Sequence, residues 1–270
     1  MENSKPVLDL KKIDAVLFDM DGVLTATARV HSACWKRMFD GFLKSYYEKK
    51  GESFIPFDIE KDYKLYVDGK LRDEGVKSFL LSRNINLPYG KTDDPPGRDT
   101  VCSLANIKFK MVRDVLETEG VDVFEGSIDL VKRLRAAGVK MAVVSSSKSC
   151  RVVLESVGMT DLFDAIVDGN AATRFGLPGK PAPDTYLKAA ELLDTEPARA
   201  VVVEDAISGV MAGRDGGFGL VVGVDREGNI YYYKHENYSN IVPKSFSVKK
   251  WPANTFPINE VSKRHTKSKN

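Results

Sequence analysis

Short apolar runs alternate with longer amphipathic stretches along most of this chain. The runs Ala15–Asp19 (AVLFD), Val139–Ser146 (VKMAVVSS), Ala165–Asp168, Ala200–Asp205 (AVVVED) and Gly219–Asp225 (GLVVGVD) are apolar for most of their length and turn polar at their ends. Continuous, β-branched runs of this length fit strands covered on both faces, as in a parallel sheet. Between them, apolar residues recur at helical spacing over Ser127–Ala137, Ser149–Val157, Pro183–Leu193 and Ala206–Asp215. Gly138 and Gly158 stand just past two of these patterns, where helices often end in left-handed backbone. Strand and helix in alternation predict a doubly wound α/β sheet with helices on both faces. Such sheets bind ligands beyond the carboxyl ends of their strands, which is where the polar ends of these runs would gather.

Residues 28–120 break the alternation. Helical patterns over Val30–Lys49, Lys70–Arg83 and Ser103–Glu117, with a loop at Pro88–Gly97, predict a helical insertion after the first strand. The expected organisation is a core of residues 1–27 and 121–226, a helical cap of residues 28–120, and a basic C-terminal arm of residues 227–270, partly irregular. Hinges between cap and core are expected near Thr25–Ala28 and Glu119–Val123. The segment Tyr231–Tyr233 reads as packing or an edge strand rather than a recognition patch.

Charge changes this picture only at the C-terminus. Net charge is +2, which gives no case for a nucleic-acid partner. Residues 226–270 hold nine Lys/Arg against three Asp/Glu, so the first 225 residues carry −4. A docking role for the basic arm is a third and weaker functional reading. Cys34, Cys102 and Cys150 are far apart and form no CxxC pair, which fits a reducing compartment better than a disulfide or zinc framework. No stretch approaches the roughly 18 apolar residues of a membrane span. A cytoplasmic monomer without membrane contact is expected.

The chemistry lies at the strand ends. Asp19 and Asp21 follow the first apolar run, with Gly22 after them. Ser145, Ser146, Ser147 and Lys148 end the second, Lys180 stands in GKPAPD, and Glu204 and Asp205 end AVVVED. Two like charges at 4 Å repel by about 1 kcal/mol in water and about 4 kcal/mol at an effective dielectric of 20. Carboxylates brought this close call for a cation. Oxygen ligands without His or Cys select a hard ion, Mg²⁺ above others. A lysine and hydroxyls beside it suit a phosphoryl group. Asp19 is therefore the candidate nucleophile and Asp21 the candidate acid/base. Lys180 and Ser145 would stabilise the equatorial oxygens.

DMDGVLT, VVSSSKS, GKPAPDTY and VVVEDAISGV, in this order and spacing, resemble the haloacid dehalogenase superfamily. The stretch YVDGKLRDEGVKSFL, with His31 and Trp35, is similar to its helical-cap subgroup and to β-phosphoglucomutase-like hydrolases. The resemblance covers residues 13–226 and implies a Rossmann-like core. It implies that Mg²⁺ rests on the Asp19 carboxylate, the Asp21 carbonyl and Asp205, with Glu204 nearby. It further implies that Arg72 and the loop Ser146–Ser149, with Lys148 as the charge, grip a second phosphate of a small phosphorylated sugar. Lys108 would contact substrate, and His31 would hydrogen-bond near Asp21. This chain departs from the pattern at Ala26, Phe109, Glu125 and Ser149. Phe109 and Ser149 stand where asparagines are expected and touch the proposed substrate grip.

The site itself leaves two function classes, an enzyme of either of two kinds and a non-enzymatic acceptor. A phosphomutase passes the aspartyl-phosphate to a sugar hydroxyl. A phosphatase passes it to water. A non-enzymatic phospho-acceptor domain keeps it as a signal, but would have no use for a cap or a second acid two residues after the nucleophile.

Overall fold

The computed structural model describes residues 12–224 and the backbone of residues 230–234. Most of the expected basic arm, residues 227–270, therefore lies outside the described residues. Six strands form one sheet: β1 Ala15–Phe18, β2 Lys140–Val144, β3 Ala165–Val167, β4 Ala200–Glu204, β5 Leu220–Val224 and β6 Ile230–Lys234. Their order is β3-β2-β1-β4-β5-β6. The first five are parallel, and β6 pairs antiparallel with β5. Tyr231–Tyr233 thus belong to an edge strand.

All four residues of β1 are buried because both faces are covered. The two-residue period of the strand divides them. Val16 and Phe18 join Val143, Val201 and Val222 on one face, under Leu130, Val131 and Leu134 of α4 (Glu125–Ala136) and Val153 and Leu154 of α5 (Cys150–Ser156). Ala15 and Leu17 join Ala142, Val144 and Val202 on the other, under Tyr186 and Ala189 of α7 (Asp184–Leu192) and Ala212 of α8 (Ile207–Asp215). β1 sits between β2 and β4, where the strand order reverses, and this is where such sheets open a crevice.

The interrupting helices are α1 Ala28–Lys50, α2 Arg72–Ser82 and α3 Val101–Glu119. They have a core of their own. Trp35, Phe39, Leu43 and Tyr47 repeat every four residues along α1 and pack with Phe57, Val76, Phe79 and Leu104. The ring of Phe39 lies 4.2 Å from that of Phe79 and 5.2 Å from that of Phe57. The two connections from this layer to the sheet run side by side. Thr25 bridges Val123 antiparallel, and the Ala26 amide donates to the Asp122 carbonyl at 2.8 Å.

Three details differ from the sequence reading. α3 starts at Val101, two residues before the expected Ser103, because the Thr100 hydroxyl accepts from the Ser103 amide and caps the helix there. A further short helix, α6 (Gly169–Phe175), follows β3. Its start depends on Asp168, whose carboxylate accepts from the Asn170 and Ala171 amides. A π-helical turn at Tyr63–Val67 precedes α2. Among the described residues no helix is long and apolar enough to cross a membrane.

Candidate active site

The site is built on the carboxyl edge of β1. The Asp19 amide continues the sheet pairing by donating to the Val203 carbonyl at 2.9 Å. This holds the side chain at the sheet edge, 6% exposed. Lys180, 1% exposed, enters from the loop before α7. Its Nζ reaches Asp19 Oδ1 at 2.5 Å, Glu204 Oε1 at 2.6 Å and the Val144 carbonyl at 3.1 Å. Those are three acceptors for the three donors of an ammonium. Glu204 is fully buried. It also receives the Tyr186 hydroxyl at 3.2 Å and the Ala206 amide at 2.7 Å.

The charge balance here is short of cations. Burial works to lower Lys180, but Asp19 and Glu204 outweigh it and hold the ammonium well above the usual lysine range. Burial pushes the Asp19 carboxyl well up, Lys180 opposes this, and Glu204 and Asp21 add to it. Burial also pushes Asp205 well up, followed by the charges of Glu204 and Asp68. One carboxylate oxygen each from Asp19, Glu204 and Asp205 lie within 4.8 Å of one another. An all-oxygen, electron-rich set of this kind fits a hard divalent cation. Gly22 is required beside it. Its φ is +88°, and a Cβ there would lie 1.8 Å from Asp205 Oδ2.

The Asp21 carboxylate is engaged elsewhere. The Thr27 hydroxyl donates to its Oδ1, and the Ser145 hydroxyl is 3.5 Å from its Oδ2. His31 Nε2 is 3.7 Å from Oδ1. Burial and the neighbouring Lys108 ammonium bring His31 down to about 4, so the ring is neutral near pH 7. Lys108 Nζ lies 3.0 Å from His31 Nδ1 and, as an ammonium, donates to it. The ring proton is then on Nε2, facing Asp21. Burial brings Lys108 itself down to about 8.

The opposite wall belongs to the helical layer. The cleft between the two holds about 670 Å³ of empty space, part of it open to solvent. Asp19, Asp21, His31, Arg72, Lys108, Ser146, Ser147, Lys148 and Asp205 all line it, as does Ser149. Ser145, Lys180 and Glu204 do not line it; they lie buried, in hydrogen-bond contact with residues of the cleft and of one another. Arg72, Lys108 and Lys148 have no carboxylate within ion-pair distance among the described residues. Burial and the nearby Arg72 charge both lower Lys148.

Several residues in and behind the cleft were not anticipated in these roles. Thr27 holds Asp21, and Tyr63 and Asp68 face the acidic cluster from the helical side. Burial, then the charge of Glu204, raise Asp68 to about 7, while a hydrogen bond from Tyr63 works the other way. The turn at Asp68–Gly69 is also where the layers join. The Ser208 hydroxyl donates to the Asp68 carbonyl at 2.7 Å, and the Ser146 hydroxyl to the Gly69 carbonyl at 2.6 Å. Gly69 has φ +70°, and a Cβ there would meet Ser208 Oγ at 2.3 Å. An Asp-Gly pair is ordinary turn chemistry, so nothing local marks it as a contact across the cleft.

Comparison with known proteins gives concordant matches. The family model described as haloacid dehalogenase-like hydrolase matches residues 13–217. A beta-phosphoglucomutase of Mycobacterium tuberculosis is 49% identical over 218 residues, covering 81% of this chain and 83% of that protein. A beta-phosphoglucomutase of Bacillus subtilis is 30% identical over 210 residues, covering 78% and 82%. A beta-phosphoglucomutase crystal structure from Clostridium difficile superposes with a TM-score of 0.61 at 26% identity, covering 79% of this chain and 85% of that one.

Proposed function

This chain belongs to the haloacid dehalogenase-like hydrolase family, and from that premise we propose that it is a phosphomutase acting on a small phosphorylated sugar, as a β-phosphoglucomutase does. It is an enzyme, a phosphomutase or a phosphatase, and its relatives set aside a non-enzymatic phospho-acceptor. The observation that carries the mutase reading is the pair Arg72 and Lys148. Both line the cleft, neither has a carboxylate partner among the described residues, and neither belongs to the Asp19–Lys180–Glu204 cluster. Two cations left over, Arg72 on the helical wall and Lys148 on the loop after β2, suit a second, non-reacting phosphate.

In this reading Asp19 attacks phosphorus and becomes an aspartyl-phosphate, while the bond to the leaving oxygen breaks. Asp21 protonates that oxygen and then takes the proton of the incoming sugar hydroxyl. The Thr27 hydroxyl holds Asp21 in place between the two steps, with His31 Nε2 facing it at 3.7 Å. Lys180 and Ser145 face the charge that develops on phosphorus. Mg²⁺ would be held by Asp19, Glu204 and Asp205, with the Asp21 carbonyl as a further ligand, and would supply electrostatic compensation between carboxylate and phosphate. Residues 28–120 act as a cap that closes through the Asp68–Gly69 contacts and opens at the paired connections around Thr25 and Val123. A cytoplasmic monomer completes the reading; Cys34, Cys102 and Cys150 are all free and buried.

The test is direct. Purified protein with Mg²⁺, β-glucose 1-phosphate and a trace of glucose 1,6-bisphosphate is expected to form glucose 6-phosphate. Inorganic phosphate without glucose 6-phosphate would replace the mutase reading by a phosphatase.

A further inference from the structure

Phe109 is one of the positions where this chain departs from the pattern it resembles, and the phosphoryl-transfer reaction gives it no role. An asparagine at this place would offer hydrogen bonds to a substrate; a phenyl ring offers none. Phe109 nevertheless lines the cleft, beside Lys108 on α3. The guanidinium carbon of Arg72 lies 4.6 Å from the centre of its ring. Arg72 opens α2, and its Nη1 is buried with no hydrogen-bond partner. A free guanidinium on a flexible stem ordinarily turns to water or to a carboxylate. Here Nη1 is turned inward, away from any carboxylate among the described residues, and the Phe109 ring is the face the guanidinium lies over.

We propose that Phe109 is a positioning residue for the second phosphate: its ring holds the Arg72 guanidinium against the cleft with Nη1 unpartnered, ready for an anion. This rests on the mutase reading, in which the substrate carries such a phosphate. Loss of the polar side chain at 109 then shifts recognition. The sugar meets a C–H wall at this point, and selectivity depends on the phosphate that Arg72 receives. The same device recurs beside it, since Lys108 Nζ lies 4.7 Å from the ring centre of Trp35. Two of the cations on this wall, Arg72 and Lys108, thus lie over aromatic faces, a contact that leaves their charge available to the ligand.

The experiment compares equilibrium affinities of the full-length protein for glucose 1,6-bisphosphate and for inorganic phosphate, with Mg²⁺ present. Wild type is expected to prefer the bisphosphate. Phe109→Leu and Phe109→Asn should each cut that preference about 5- to 10-fold. Phe109→Tyr, which keeps the ring, should retain it. In an Arg72→Ala background, Phe109→Leu should cost nothing further, whereas a general packing defect would cost the same in both backgrounds. Undiminished preference in Phe109→Leu, or an additive double variant, overturns the proposal. A wild type that shows no preference for the bisphosphate overturns the mutase reading itself, and the proposal with it.

Discussion

The two walls of the cleft hold charge in opposite ways. At the sheet edge, charges are paired with one another. Lys180 is 2.5 Å from Asp19 and 2.6 Å from Glu204, and all three are buried. On the helical side, Arg72 and Lys108 rest on the rings of Phe109 and Trp35 and have no carboxylate within ion-pair distance among the described residues. The first arrangement fixes reacting groups at the expense of freedom and of a deficit in positive charge. The second keeps positive charge unspent for a ligand. A site that must grip one phosphate while transferring another needs both.

Removing the paired side should have the largest effect. Asp19→Asn is expected to reduce turnover of sugar phosphate by about 10⁴-fold or more, since the variant lacks the nucleophile. Steady-state assay with an unchanged circular dichroism spectrum checks it; retained activity would shift the nucleophile elsewhere. Lys180→Met should leave Asp19 and Glu204 buried without their counter-charge. The expected loss is about 3–5 kcal/mol of stability, read from denaturant unfolding. A midpoint equal to that of wild type would mean that the ammonium is not the partner these carboxylates require.

The unpaired side should respond to pH. Lys108 sits at about 8 when folded, below the ordinary lysine value of 10.5. Between those values the unfolded chain binds more protons, so this group makes stability rise with pH. Its grip on an anion moves the other way. If only the ammonium binds, KM for the sugar phosphate should rise up to about tenfold by pH 9. Lys108→Arg, which stays charged, should flatten the rise. A KM that is level from pH 7 to 9 in wild type would remove Lys108 from the grip. The smallest effect concerns the join between the walls. Ser208→Ala deletes one hydrogen bond to the Asp68 carbonyl and should favour cap opening by about 1 kcal/mol, seen as faster amide exchange around Gly69. Unaltered exchange would show that Ser146 alone holds the turn.

The same contrast explains what was legible in the sequence. Strands and long helices are local patterns, and the buried runs at Ala15, Val139 and Ala200 resolve into β1, β2 and β4. The acids and Lys180 stand at strand ends, so the parallel sheet alone brings them to one edge. α6 was not legible, because seven residues carry too little periodicity and its start depends on the Asp168 cap. Nor were the contacts of the helical wall. They run through ring faces and backbone carbonyls, as at Arg72–Phe109 between α2 and α3 and at Ser208–Asp68 between α8 and the turn before α2, and no local pattern encodes either. Phe109 was visible only as a departure; the structure gives it a neighbour.

The central claim is that Asp19 takes a phosphoryl group from a sugar bisphosphate and passes it to the hydroxyl of a sugar monophosphate. A single-turnover experiment with glucose 1,6-bisphosphate labelled in one phosphate tests it most directly. The account predicts label first on the peptide containing Asp19, then on glucose 1-phosphate supplied as acceptor. Label that reaches inorganic phosphate without passing to the acceptor, or that never appears on Asp19, would contradict it.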